Sequence, residues 1–225
     1  MNSNKKTAGI TEYAARLEID YPEKLDRGST LFRLLWIIPI AIILGLVSGA
    51  GETVTNTVFL DEAGEVLRTT QETVGGLAIG LSGAIALMIV FRQRYPRWWF
   101  DFLRELTRFQ ARVGAYAGLL TDQYPSTVDE QSVHLEIDYP DAETDLNRWL
   151  PLVKWLLVIP HFVILAFISI GSVFAVIFAW FAILVTGQYP KSLFDFNVGV
   201  MRWWLRVGAY ASLLVTDSYP PFSLH

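Results

Sequence analysis

The sequence contains no cysteine, which excludes disulfide scaffolds, thiolate zinc or iron–sulfur sites and thiol catalysis. Charged residues are also scarce: they make up 18% of the 225 residues, against about 25% in soluble domains. A basic surplus is missing as well, since the net charge of −4 argues against a nucleic-acid partner. What is abundant is apolar surface: 52% of residues are hydrophobic and the mean hydropathy is +0.36. The composition therefore predicts a membrane protein.

The apolar residues are concentrated in runs long enough to cross a bilayer. Two such runs are Leu31 to Ala50 and Val74 to Phe91. A third, Leu150 to Val185, has 36 residues and would form a helix of about 54 Å, longer than the ~30 Å hydrocarbon core. We therefore expect a corner at Gly171-Ser172, between an arm of 17 residues, Trp155 to Gly171, and an arm of 15 residues, Ser172 to Thr186. Full spanning by both arms is favoured, and a re-entrant hairpin is the alternative.

The distribution of cations predicts the orientation of these runs. The segment 51–73 contains Arg68 as its only cation beside five acidic residues, and the other 17 Lys+Arg lie elsewhere. Basic flanks stay in the cytoplasm, so we expect a multi-pass protein of the plasma (inner) membrane with both termini cytoplasmic and an acidic outer loop 51–73. Two β-prone runs around Asp61 to Gly64 predict a hairpin within that loop. No apolar run follows Lys5 and Lys6 before Leu31, so no cleavable signal is expected.

Several motifs occur twice in the chain. They are LEIDYP at 17–22 and 135–140, RVGAY at 112–116 and 206–210, and TD-x-YP at 121–125 and 216–220. The duplication predicts an all-α membrane protein built as a tandem repeat of two units, 1–125 and 126–225, related by an axis along the membrane normal.

Each unit is expected to contain an extended LEIDYP segment, an apolar helical hairpin and a juxtamembrane amphipathic helix. The transmembrane helices of the second unit are predicted within 150–187, and the juxtamembrane helices at 97–120 and 191–215. The LEIDYP copies alternate apolar and acidic side chains, so they are expected to pair as strands across the axis.

The juxtamembrane helices carry their charges in a narrow row. Asp195, Arg202 and Arg206 fall within about 40° of one another on a helix. The corresponding row of the first unit consists of Asp101, Glu105, Arg108 and Arg112. One interpretation is an interfacial helix whose charges face water and lipid phosphates. The alternative is a buried row in which aspartates of one unit pair with arginines of the other.

His161 is an ionisable residue inside the apolar tracts, where such residues are functional candidates. It has no carboxylate neighbour in its helix, so a neutral hydrogen-bonded histidine is favoured over a proton relay. Phosphate-binding loops, nucleophile elbows and metalloprotease motifs do not occur in the sequence. We therefore expect no enzyme activity, no catalytic residue, no cofactor and no metal site.

The second unit resembles the DUF4389 family of prokaryotic membrane proteins. The resemblance rests on Ile159-Pro160-His161, on FDFNVGV at 194–200 and on YPPFSL at 219–224. It is close over 135–224 and looser over 17–125, where Leu103-Arg104-Glu105 replaces Asn-Val-Gly. The function of the family is unknown, so the resemblance implies an architecture and no activity.

The expected function is that of a non-enzymatic membrane protein that organises lipid or partner subunits through its cytoplasmic amphipathic helices. Its expected partners are membrane lipids, including anionic headgroups, and partner subunits or a second copy of the chain. The alternative function is an oligomeric channel or small transporter. Apart from His161, however, the apolar runs lack the polar residues that mark ion pathways.

Overall fold

The structure, a computed structural model, describes residues 13–48, 53–60, 66–74 and 77–225, and these are mostly helical. The helices are α1 (Arg27–Ser48), α2 (Leu77–Arg92), α3 (Arg97–Ala117), α4 (Pro151–Leu157), α5 (Ile159–Thr186) and α6 (Lys191–Ala211). The strands are β1 (Ala15–Ile19), β2 (Thr53–Leu60), β3 (Val66–Val74) and β4 (Val133–Ile137).

The two LEIDYP segments form an antiparallel strand pair, β1 with β4, in which Leu17 faces Leu135. Alternate side chains point to opposite faces of a strand, so Leu17 and Leu135 lie on a buried face. The outer face carries charges, among them Arg16, which pairs with Glu136 and Asp138. The predicted pairing of the LEIDYP copies is confirmed.

Strands β2 and β3 form a second antiparallel pair, with a register shift at Phe59/Leu60. This confirms the predicted hairpin in the acidic segment. Its predicted turn, Asp61 to Gly64, lies outside the described residues.

The predicted juxtamembrane helices 97–120 and 191–215 correspond to α3 and α6. Each begins directly after a proline, Pro96 or Pro190, whose extended backbone has ψ near 125° and does not continue a helix backwards. Each is followed by a leucine with positive φ, Leu119 at 62° or Leu214 at 57°. A left-handed residue ends a helix, so the chain turns at equivalent points after α3 and α6.

The corner predicted at Gly171-Ser172 is wrong, because α5 runs without interruption for 28 residues. The small residues serve helix packing instead. A Cβ on Gly171 would lie 3.8 Å from Phe196 Cζ, and the Ser172 hydroxyl donates to Asn197 Oδ1 at 2.5 Å. The apolar tract is interrupted earlier, at Val158 between α4 and α5. The apolar run Leu150 to Val185 therefore does not fold as a hairpin of two antiparallel arms.

The elements are arranged in layers. β1 packs on α6 and β4 on α3, while α6 packs on α5 and α3 on α1. The starting end of α1 lies against the end of α5, where Leu25 N–H donates to Gly187 O at 3.0 Å and Trp180 Nε1 donates to Thr30 O at 3.2 Å. The charged face of the strand pair and the apolar helices α1 and α5 therefore lie on opposite sides of α3 and α6.

We predict that Gly→Ala substitutions within α5 and directly after it have opposite effects on stability. Gly171→Ala should raise stability by about 0.5–1 kcal/mol, because alanine is the better residue inside a helix and its Cβ has room. Gly187→Ala should lower stability by about 1–2 kcal/mol, because Gly187 has a φ of 76°. Thermal unfolding of both variants in an uncharged detergent measures the difference. A loss of stability for Gly171→Ala as large as that for Gly187→Ala would support the corner at Gly171-Ser172 instead.

Candidate functional site

A buried arginine ties α1 to the turn that follows α3. Arg33 is 3% exposed, and its Nη1 donates to Tyr116 O at 3.1 Å and to Thr121 O at 2.6 Å. Its guanidinium also pairs with Asp122 and lies 4.4 Å from the Tyr116 ring centre. The charge is thus compensated by a carboxylate, by carbonyl oxygens and by an aromatic face.

A buried lysine makes the corresponding contacts after α6. Lys154 is fully buried, and its Nζ donates to Thr216 O at 2.7 Å and pairs with Asp217 at 2.7 Å. It lies 4.9 Å from the ring centre of Tyr210. The Asp122 carboxylate also accepts from Asp26 N–H at 2.6 Å, directly ahead of α1. The Asp217 carboxylate likewise accepts from Asn147 N–H at 2.5 Å, ahead of α4.

Sequence reasoning missed these two cations as structural residues. The signal was present: both residues are separated by 121 positions, as are the helix prolines Pro39 and Pro160, and each unit repeats the Thr-Asp pair that receives the cation.

Two arginines of the charge row reach the strand of the other unit. Arg202 Nε donates to Leu17 O at 2.7 Å, and Arg108 Nη2 donates to Leu135 O at 3.3 Å. Ladder hydrogen bonds join Ala14 to Asp138 and Asp20 to Ser132. Leu17 and Leu135 therefore form a non-hydrogen-bonded pair whose carbonyls point outwards. Each arginine therefore donates a hydrogen bond to a main-chain carbonyl that is left unpaired at an edge of the two-stranded sheet.

The acidic residues of the row stay with their own helices. Asp195 pairs with Lys191 at 2.8 Å, and both side chains are more than half exposed. Asp101 pairs with Arg104 at 3.3 Å, and Glu105 pairs with both Arg104 and Arg108. Among the described residues no carboxylate of one row pairs with an arginine of the other, so the aspartate–arginine alternative is wrong. The contacts of the two rows with the strands are made by Arg108 and Arg202 to main-chain carbonyls.

The last arginine of each row is buried. Arg112 is 8% exposed and its Nη1 donates to Ser126 O at 2.5 Å, while Arg206 is 6% exposed and its Nη2 donates to Ser223 O at 2.6 Å. In the described part of the chain neither has a carboxylate within ion-pair distance. Burial lowers the pKa of both groups, and the neighbouring Arg108 lowers the pKa of Arg112 further, against the opposing effect of Glu105 and Asp129.

His161 lies in a cluster made of the features that distinguish the second unit from the first. It is buried, its Nδ1 accepts from Trp203 Nε1 at 3.0 Å, and its ring stacks on Phe222 with centres 3.9 Å apart. The same C-terminal segment lies on α6, where a Cβ on Gly199 would be 2.7 Å from Leu224 O. The Pro-His, Asn-Val-Gly and PFSL sequences therefore form a single packing unit. His161 is hydrogen-bonded, as its structural interpretation predicted.

Two further properties concern metal ligands and membrane-spanning helices. No group of three His, Asp or Glu side chains among them is placed to hold a metal ion. Within 13–48, 53–60, 66–74 and 77–225, α5 is the one helix long and apolar enough to cross a membrane. A second candidate is α1, if its segments Arg27–Arg33 and Leu35–Gly45, bent by 53°, form one span.

The fold and these contacts define a mostly helical protein with one long apolar helix and two amphipathic helices under a strand pair. Residues 149–223 match the family model of DUF4389, a domain of unknown function. The resemblance to DUF4389 is thereby confirmed for residues 149–223, and that of residues 17–125 stays a prediction. Comparison with curated proteins and with solved structures gave no match.

We predict that the buried and exposed ion pairs differ strongly in their contribution to stability. Lys154→Met should lower the free energy of unfolding by about 3 kcal/mol or more, because it leaves Asp217 and Thr216 O without their cation. Asp195→Asn should change it by about 1 kcal/mol or less, because the pair with Lys191 is exposed. Unfolding of both variants in uncharged detergent tests this difference, and similar effects would contradict the role given to Lys154.

Proposed function

We propose that the protein is a non-enzymatic integral membrane protein that organises lipid or partner subunits at the cytoplasmic face of the plasma membrane. The observation that carries the proposal is the uncovered surface of α5. Only 17% of its most apolar 18-residue window is buried within the protein. The core helix of a soluble protein would be mostly buried, so another apolar medium must cover this helix.

The exposed apolar surface covers most of α5. The buried residues of α5 form one stripe, consisting of His161, Leu165, Ala175, Ala179 and Ile183. Large side chains such as Phe167, Phe174 and Phe178 are more than half exposed on the remaining surface. Burial of such side chains is worth about 1.5–3 kcal/mol each, so contact with water over the whole helix is implausible.

The layered fold favours an α5 that lies in the plane of one leaflet. Trp204 Nε1 donates to Ser169 Oγ, and the nearby Arg202 holds β1, so the strand pair lies level with the first half of α5. If α5 crossed a bilayer centrally, Ser169 would lie about 5 Å from the midplane. The charged outer face of β1 and β4 would then face lipid. Open strand edges are not tolerated there, and each charge costs about 2.5–3.5 kcal/mol.

In the in-plane arrangement, the apolar helices α1 and α5 are embedded in lipid, and α3 and α6 lie at the headgroups. The strand pair faces the cytoplasm, and the axis relating the two proposed repeat units runs along the membrane normal. Equivalent contacts support the repeat: Tyr21 hydroxyl donates to Tyr189 O, and Tyr139 hydroxyl to Tyr95 O, both at 2.5 Å.

The predicted multi-pass topology is the competing arrangement, and it requires the acidic segment 51–73 to be outside the cell. The channel or transporter alternative has less support. α5 contains no Asp, Glu, Lys or Arg, and its one ionisable residue, His161, is covered by Trp203 and Phe222. We therefore assign the apolar surface to lipid contact.

We expect the full-length protein to remain in the membrane pellet when native membranes are washed with alkaline carbonate. The wash removes proteins held by charge alone and leaves those whose apolar surface is embedded in lipid. Release of the protein into the supernatant, with a known multi-pass protein retained in the same sample, would contradict the proposal.

Cysteine labelling distinguishes the two arrangements, because the chain contains no native cysteine. With α5 in the cytoplasmic leaflet, neither Gly64→Cys nor Val128→Cys should react with an impermeant thiol reagent in intact cells, and both should react after permeabilisation. Reaction of Gly64→Cys alone in intact cells would establish the multi-pass topology. Reaction of Val128→Cys, an exposed position, would contradict the cytoplasmic orientation.

A further inference from the structure

Between Asp101 and Arg112, α3 carries three arginines, Arg104, Arg108 and Arg112, against two acids. Asp101 and Glu105 are shared between Arg104 and Arg108. Arg112 therefore supplies a surplus positive charge, and it is the most buried of these arginines. A buried charge without a counter-ion is unfavourable, because the energy of hydration is lost and no attraction replaces it.

The buried guanidinium of Arg112 also has a donor without an acceptor. Nη1 donates to Ser126 O, but Nε has no partner among the described residues and is inaccessible to solvent. Buried donors in folded proteins are nearly always paired. An oxyanion bound at this guanidinium would compensate its charge.

Arg112 lies in a crevice large enough for such a group. The crevice has a volume of about 260 Å³ and is lined by Arg108 and Thr127 as well as by Ile43 and Phe102. Ile43 and Phe102 are exposed apolar side chains, so an apolar surface adjoins the arginine. Glu105 also lines the crevice, but its carboxylate is held by Arg104 and Arg108.

From this arrangement, the geometry points to a binding site for a phosphate-type oxyanion at Arg112, with the acyl chain of a phospholipid lying along Ile43 and Phe102. Arginine suits this ligand because its planar fork binds phosphate oxygens through two parallel hydrogen bonds. The site deepens the proposed function and rests on it, because α3 lies at headgroup level when α1 and α5 are embedded.

The equivalent arginine of the second unit, Arg206, is less available. Its Nη2 donates to Ser223 O and its Nε to Arg202 O. The Nε of Arg206 thus has an acceptor, whereas the Nε of Arg112 has none among the described residues. The site is therefore assigned to the first unit.

The test uses the full-length protein in an uncharged detergent and follows thermal unfolding. The probes are dihexanoyl phosphatidate, dihexanoylglycerol, which has the same chains without phosphate, and inorganic phosphate. Phosphatidate should raise the unfolding temperature saturably, and dihexanoylglycerol should not. Arg112→Gln should weaken the apparent affinity by about 10- to 100-fold, as expected for a lost hydrogen bond to a charged group.

Arg97→Gln is the matched control, because Arg97 is on the same helix and its guanidinium lies over the Tyr139 ring, outside the crevice. It should respond to phosphatidate as the wild type does. If Arg112→Gln does not fold, Arg112→Lys keeps the charge, loses the planar fork and should weaken binding about 10-fold. Equal affinities for phosphatidate and inorganic phosphate would support the oxyanion site and assign it to free phosphate.

The site is contradicted if the wild type responds saturably to neither phosphate compound, or if Arg112→Gln responds as the wild type does. Failure of this inference is distinguishable from failure of the proposed function. A protein that resists carbonate extraction but binds no oxyanion contradicts the site alone. A protein released by carbonate contradicts the proposed function.

Discussion

Two buried cations, Arg33 and Lys154, determine how the apolar helices lie relative to the rest of the protein. A charge removed from water needs compensation on every side, so each cation fixes a carboxylate, carbonyl oxygens and a tyrosine ring around itself. These groups belong to the end of an amphipathic helix and the turn that follows it. The first turns of α1 and α4 are thereby held against the ends of α3 and α6. The strand pair then closes over α3 and α6, where Arg108 and Arg202 bind its outward carbonyls.

This order of layers makes the whole molecule amphipathic, although α5 by itself has no polar face. The charged side chains of β1 and β4 lie at one surface, and the exposed aromatic and aliphatic side chains of α1 and α5 lie at the other. Between them, α3 and α6 contribute arginines at the boundary. A lipid leaflet has the same sequence of environments, from water through phosphate to hydrocarbon. The proposed lipid contact of α5 and the proposed oxyanion site at Arg112 follow from this correspondence.

Local patterns in the sequence predicted the elements better than they predicted the contacts between them. The strand pair followed from the alternation in LEIDYP and its duplication, and α3 and α6 followed from their prolines and apolar periodicity. The Gly171-Ser172 corner failed because a glycine–serine pair has the same appearance in a turn and in a packed helix. The residues that contact this pair in the packed helix, Phe196 and Asn197, each lie 25 positions further along the chain. The arginine contacts were missed because their acceptors are main-chain carbonyls, which leave no trace in the side-chain pattern.

The proposed membrane arrangement requires lipid to cover α5, and nitroxide labels on single cysteines along this helix measure that contact directly. Labels at Phe167 and Phe178 should collide readily with oxygen, which concentrates in hydrocarbon, and rarely with a water-soluble nickel chelate. Labels at Leu165 and Ala179, on the buried stripe, should be shielded from both. Frequent collisions of the nickel chelate with labels at Phe167 and Phe178 in membrane-reconstituted protein would show that water covers this surface. That result would contradict lipid contact at α5.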